Sequence, residues 1–149
     1  MVGVRFSRIA EQKSEELADS LVMKLMESPR TASYREIDAE SLRQSYRGFF
    51  GDLTDWLLYR SQAEIEETFS LMGRTRASQA VPLDECVNAM LVCRDHLVES
   101  LREEARGDTG VELFGELEFV VAMSQFCDDA IFFCMRGHRS YQLDAEEVA

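Results

Sequence analysis

Apolar residues return along this chain at helical intervals almost from end to end. From Ser7 to about Ser28, Ile9, Leu17, Leu21, Val22, Leu25 and Met26 recur three or four positions apart, or near multiples of that, which predicts a helix with one apolar face. Pro29 ends it, because a residue before proline resists the α region, and the polar stretch through Arg35 reads as a connection. A second helix is expected from an N-cap at Asp38, its stripe carried by Leu42, Tyr46, Phe49, Leu53, Trp56 and Leu57 to about Arg60. Gly48 and Gly51 weaken it by roughly 1 kcal/mol each relative to Ala, so they predict a kink or the close approach of another helix. A shorter third helix carries Ile65, Phe69 and Met72. Pro82, with Asp84 and Glu85 in the first turn, opens a fourth, whose seam of Leu83, Val87, Met90, Leu97 and Leu101 runs down to a turn at Gly107, Asp108 and Gly110.

The last predicted helix, about Val111 to Tyr141, is the most informative. At about 100° per residue, Leu113, Leu117, Val120, Cys127, Ile131 and Cys134 form one apolar seam, and Phe119, Met123, Phe126, Ala130 and Phe133 form another. Only a narrow strip of Glu118, Gln125, Asp129 and Arg136 is polar. A helix apolar around most of its girth must be covered on several sides. Either it is central to the monomer, or the Phe119, Met123, Phe126, Ala130 and Phe133 seam faces a second copy or another protein.

No period-two alternation or Asn-Gly turn suggests strands. The fold class expected is therefore all-α: one domain of about five helices over residues 1–142, as a bundle or globin-like arrangement, followed by an acidic tail at 143–149 that frays or projects. A chain of 149 residues can bury a core without staples. With 28 acidic against 16 basic residues, a formal charge of −12, and no basic run, nucleic acid is excluded as a partner. The longest uncharged apolar stretch, Phe119 to Cys127, is too short for a bilayer, and no signal peptide is visible, so a cytoplasmic location is expected.

Chemical motifs are sparse. Cys86, Cys93, Cys127 and Cys134 lie in apolar runs with no CxxC pair, which reads as thiol packing rather than a disulfide frame or zinc site. The Glu-x-x-His pairs of a di-iron bundle, P-loops and Gly-rich dinucleotide loops are absent, so no metal, no cofactor and no enzyme activity are expected. His96, mid-helix, is the one candidate haem ligand. Met72, Met90 and Met123, with nearby aromatic residues, could line a pocket for a hydrophobic small molecule. Arg74 and Arg76, the densest basic feature before Pro82, are candidates for holding an anion or a partner's acidic group.

The run Gly73-Arg74-Thr75-Arg76-Ala77-Ser78-Gln79-Ala80-Val81-Pro82-Leu83-Asp84-Glu85 resembles the Gly-Arg-x-Arg-Ala-x-x-Gly-[aliphatic]-Pro-Leu-x-Glu segment of the RsbRD N-terminal domain family. Tyr34-Arg35-Glu36-Ile37 followed by Leu42 is similar to that family's second-helix entry. The family's glycine is Ala80 here; if that glycine takes a positive φ, an altered turn is expected. The resemblance implies an all-α sensory or regulatory input module of the kind found in stressosome RsbT co-antagonists and bacterial histidine kinases, some with a globin-like arrangement lacking haem. It departs from that pattern in carrying no output domain before Ala149. The function expected is signalling by helix–helix association, as a homodimer or with a signalling partner; the alternative is a small-molecule or haem sensor with a pocket between helices.

Overall fold

The computed structural model describes residues 4–104 and 110–148. Its helices are α1 (Val4–Gln12), α2 (Ser14–Glu27), α3 (Ala39–Gly51), α4 (Leu53–Leu58), α5 (Gln62–Ser78), α6 (Leu83–Glu104) and α7 (Gly110–Val148), with a 3-10 segment over Pro29–Glu36. Among the described residues there is no strand, and no helix is long and apolar enough to cross a membrane.

Two of the expected helices are each divided. Lys13, at φ −107° and ψ 18°, separates α1 from α2 while its N–H donates to both the Ile9 and Ala10 carbonyls at 3.1 Å. Asp52, at φ −112° and ψ 20°, separates α3 from α4. A one-residue bend redirects the axis, yet apolar positions continue on both sides of it, so periodicity alone reads straight through. Gly51 ends α3 at that bend. The close approach of another helix expected at Gly48 and Gly51 is not there, since a Cβ at either would meet nothing within 4 Å.

The Pro29–Glu36 connection is more structured than its polarity suggested. Thr31 and Tyr34 are buried, Thr31 Oγ1 donates to the Leu25 carbonyl at 2.7 Å, and the Glu85 carboxylate accepts from the N–H and hydroxyl of Ser33, each at 2.8 Å. The third helix is longer than expected. A capping box starts α5, with Ser61 Oγ accepting from Glu64 N–H and the Glu64 carboxylate accepting from Ser61 N–H, and the helix runs on through Arg74 and Arg76. At the other end, the acidic stretch expected to fray continues α7 to Val148, and Asp144 within it pairs with Arg74 at 3.1 Å.

Parallel packing of α5 and α7 is the most extensive contact in the fold. Its register is set by two glycines. A Cβ on Gly73 would stand 2.0 Å from the Cys134 carbonyl oxygen, and a Cβ on Gly137 would stand 2.0 Å from the Ser70 carbonyl oxygen. Each helix therefore drives its backbone into the other's. Phe69 against Phe126 on one side of the crossing, and Arg74 against Ser140 on the other, give the parallel sense. Helix α6 runs antiparallel to α7, so cysteines seven residues apart on each meet in reversed order: Cys86 Sγ lies 3.4 Å from Cys134 Sγ.

The core gathers Leu21, Leu25, Leu42, Phe50, Leu97 and Leu101 around α7. Phe119, Met123, Phe126, Ala130 and Phe133 belong to it, at 1% to 7% exposure. This corrects their reading as a surface for a partner: their own chain covers them. Large apolar α7 side chains left in solvent are Leu113, Phe114, Leu117, Val121, Phe132 and Met135, and nearer the C-terminal end Leu143 and Val148, each at least 40% exposed.

Between α5 and α6 the chain turns at Ala80, which takes φ 62°. The turn keeps the left-handed conformation despite the alanine, with Val81 N–H donating to the Arg76 carbonyl at 3.0 Å. Strain at Ala80 costs about 1–2 kcal/mol, the clash of its Cβ with backbone that glycine avoids. In urea denaturation followed by circular dichroism, Ala80→Gly is expected to raise stability by roughly 1 kcal/mol. Gly73→Ala and Gly137→Ala are each expected to lower it by about 1–3 kcal/mol or more, because backbone rather than a flexible side chain must yield.

Candidate functional site

On the N-terminal side of the glycine crossing, large side chains stand between α5 and α7. Phe126 lies between Phe49 and Phe69, at ring centroid distances of 5.7 and 5.5 Å, and Trp56 stands edge-on to Phe69 at 5.7 Å. This aromatic cluster bounds a cavity of about 470 Å³ enclosed by α3, α5, α6 and α7. Ala130 and Gly48 are among its lining residues and, being small, leave it open. The mouth lies between α3 and α5, where the lining residues Ser45, Gly48, Thr68, Leu71 and Thr75 are exposed. Its volume falls in the range of pockets that bury small organic molecules, roughly 300–1,000 Å³.

Met72, Met90 and Met123, far apart in the chain, all line this one cavity. Methionine is unbranched and polarizable, and suits a wall that must adapt to different occupants. The two arginines part company. Arg74 points away from the cavity, its guanidinium donating to Ser140 Oγ at 2.9 Å and to the Asp144 carboxylate at 3.1 Å. Arg76 lines the cavity and is buried; it donates to Gln79 Oε1 at 3.0 Å, and its guanidinium carbon lies 5.6 Å from the Tyr34 ring centre. Burial pushes the phenols of Tyr34 and Tyr46 above their ordinary range, while the nearby Arg76 charge works in the opposite direction. Tyr46, Phe49 and Trp56 fit the helical stripe read from sequence, but nothing in that stripe signalled a space beside them.

Neither histidine reaches the cavity. His96 faces α2, its Nε2 lying 2.8 Å from Ser20 Oγ, and His138 Nε2 lies 2.7 Å from the Val81 carbonyl, to which it donates. His96, the haem candidate, is therefore not part of this cavity: helical phase turns it from the α6 face that carries Met90 and Cys93 toward α2. Cys93 and Cys127 do line the cavity, but burial raises Cys93 well above the ordinary thiol range and Cys127 to about 11, so both are protonated and weakly nucleophilic. No group of three or more metal-ligating side chains occurs among the described residues.

The segment from Gly73 to Glu85 now has a physical account. Gly73 sets the α5–α7 crossing, Arg74 ties α5 to the end of α7, and Arg76 enters the cavity. Ala80 makes the left-handed turn, Val81 accepts from His138, and Glu85 anchors Ser33 of the 3-10 segment. The family model described as the RsbT co-antagonist protein rsbRD N-terminal domain matches residues 15–148. No curated protein and no solved structure matches.

His96 provides a check on its own environment. Burial first, and Lys24 second, hold its imidazole below the ordinary value of 6.5, so the folded chain resists the proton that the unfolded chain accepts. Its stabilising contribution is complete above about pH 6.5 and is lost as pH falls from there through the folded value. The thermal midpoint is expected to drop between about pH 7.5 and 5.5, and to drop less in His96→Asn, as measured by differential scanning fluorimetry at each pH.

Proposed function

Since the chain belongs to the RsbT co-antagonist protein rsbRD N-terminal domain family, we propose that it is a non-enzymatic, cytoplasmic input module of stressosome type that senses a small apolar molecule in the cavity between α3, α5, α6 and α7. The observation that carries this reading is the convergence of Met72, Met90, Met123 and the Phe49, Trp56, Phe69 and Phe126 rings on one space with an exposed mouth. A core under selection for stability alone closes such a space, because a void forfeits contacts on every wall.

Trp56, the only tryptophan, lines the cavity and so serves as its reporter. Dodecan-1-ol and similar apolar probes are expected to change Trp56 emission saturably and to raise the thermal midpoint. Gly48→Leu has room for its side chain at the mouth, and should reduce both effects while the helix itself gains stability. A panel of apolar probes that moves neither signal would defeat the sensing reading.

Output by helix association has a separate support. Phe114, Leu117, Val121, Phe132 and Met135 share the outward face of α7, at 40% to 60% exposure. Phe114 stands as far before the midpoint of this stripe as Met135 stands after it, and Leu117 as far before it as Phe132 after, so two antiparallel copies bring apolar residues onto apolar residues at both ends of the stripe, while Val121 meets Asp128 nearer its middle. A second copy of the chain is therefore the partner that this face suits. Multi-angle light scattering is expected to give a dimer for the native chain and a folded monomer for the double variant Leu117→Glu with Phe132→Glu. A native chain that is monomeric at tens of micromolar would refute the association.

A further inference from the structure

The cavity contains a charge that its own chain leaves unanswered. Arg76 is 9% exposed, yet no carboxylate pairs with it among the described residues, in a chain with 28 acidic side chains to choose from. Taking a guanidinium out of water is costly unless an anion or several acceptors replace the lost hydration. Its position in the last turn of α5, where helix carbonyls are negative, offsets part of that cost. One acceptor, Gln79 Oε1, and the face of the Tyr34 ring are its protein partners; none of its nitrogens is both sealed from solvent and unpartnered, so the donors left without a protein acceptor are open to the space of the cavity. The other ionic residues on the cavity wall are differently placed: Asp52 is exposed, and Arg94 is paired with Asp95 at 3.1 Å. The remainder of the wall is mostly aromatic, aliphatic or thioether.

We propose that the cavity's ligand is an apolar molecule with a single anionic head, a carboxylate or sulfonate on an aliphatic or aromatic body, with the head on Arg76 and the body among Met72, Met90, Met123 and Phe126. This rests on the sensing role proposed above and narrows it to a chemical class. The planar fork of an arginine takes two oxygens of such a head at once, and the low polarity of the surrounding wall strengthens both bonds. A neutral amphiphile fills the same space but leaves the guanidinium unanswered. A cationic one sets like charges together in a buried site.

The test compares dodecanoate, dodecan-1-ol and dodecyltrimethylammonium, each below its micelle-forming concentration, by Trp56 fluorescence titration. In the native chain dodecanoate is expected to bind about tenfold or more tighter than the alcohol, and the ammonium compound weakest. Arg76→Met should abolish the preference for the acid while keeping alcohol binding, and Arg74→Met, on the outside of α5, should leave the preference intact. Should Arg76→Met fail to fold by circular dichroism, Arg76→Lys replaces it, with an acid preference smaller than in the native chain because the fork is lost. Alcohol and acid binding equally in the native chain would overturn the head-group assignment and leave the sensing role standing; no binding by any of the three overturns both. Stronger binding of the ammonium compound also refutes the assignment.

Discussion

The backbone-to-backbone crossing of α5 and α7 at Gly73 and Gly137 is the constraint from which the rest of the molecule follows. With a Cβ at either glycine placed 2.0 Å from a carbonyl oxygen of the other helix, the two axes can meet at that distance only with hydrogen in both positions. The crossing fixes where the backbones of α5 and α7 meet. On one side, Arg74 bridges from α5 to Ser140 and Asp144 near the end of α7. On the other, stacked and edge-on rings stand between the helices, with the cavity beside them.

The cavity is thus a consequence of helix geometry and of which residues face the gap, and its chemistry is set by a few positions. Methionines from three helices supply an adaptable wall, and the aromatic cluster forms a rigid side. Among the described residues of its wall, Arg76 supplies the one charge that is both buried and without a protein anion. The turn that follows it is strained at Ala80, and the residues after that turn connect back to α7 through His138 and to the 3-10 segment through Glu85. Cavity, crossing and turn are therefore mechanically joined within a dozen residues of sequence.

Much of the fold was legible. The α-helical period, the N-cap at Asp38 and the start of α6 after Pro82 are local features, and they appear where the residue pattern puts them. The bends at Lys13 and Asp52 were not legible, because each removes a single residue from the helical run and leaves the apolar stripes in phase on either side. Gly48 and Gly51 looked like sites of close approach, while Gly73 and Gly137 turned out to be such sites; a glycine in a helix announces missing bulk but not what lies across from it. In the same way, two apolar seams on α7 showed that the helix needed cover without showing which seam receives it. The seam containing Phe119, Phe126 and Phe133 is covered by its own chain; the other is divided, with Cys127 and Cys134 buried and Leu113 and Leu117 exposed, and the outward stripe from Phe114 to Met135 shares only Leu117 with it.

The sequence by itself determined the all-α class, the acidic charge balance and the family-like segment around Gly73 to Glu85, because each is written in spacing and composition. It also named Met72, Met90, Met123 and Arg76 as residues of interest. That these four border one cavity, that Arg74 does not join them, and that His96 turns away toward Ser20 was decided by tertiary structure alone. The reason is that a helix fixes the direction of its side chains only relative to its own axis. Which of those directions meets a void, a neighbour or water depends on how seven axes are set against one another, and the closest of those settings is the glycine-on-backbone contact between α5 and α7.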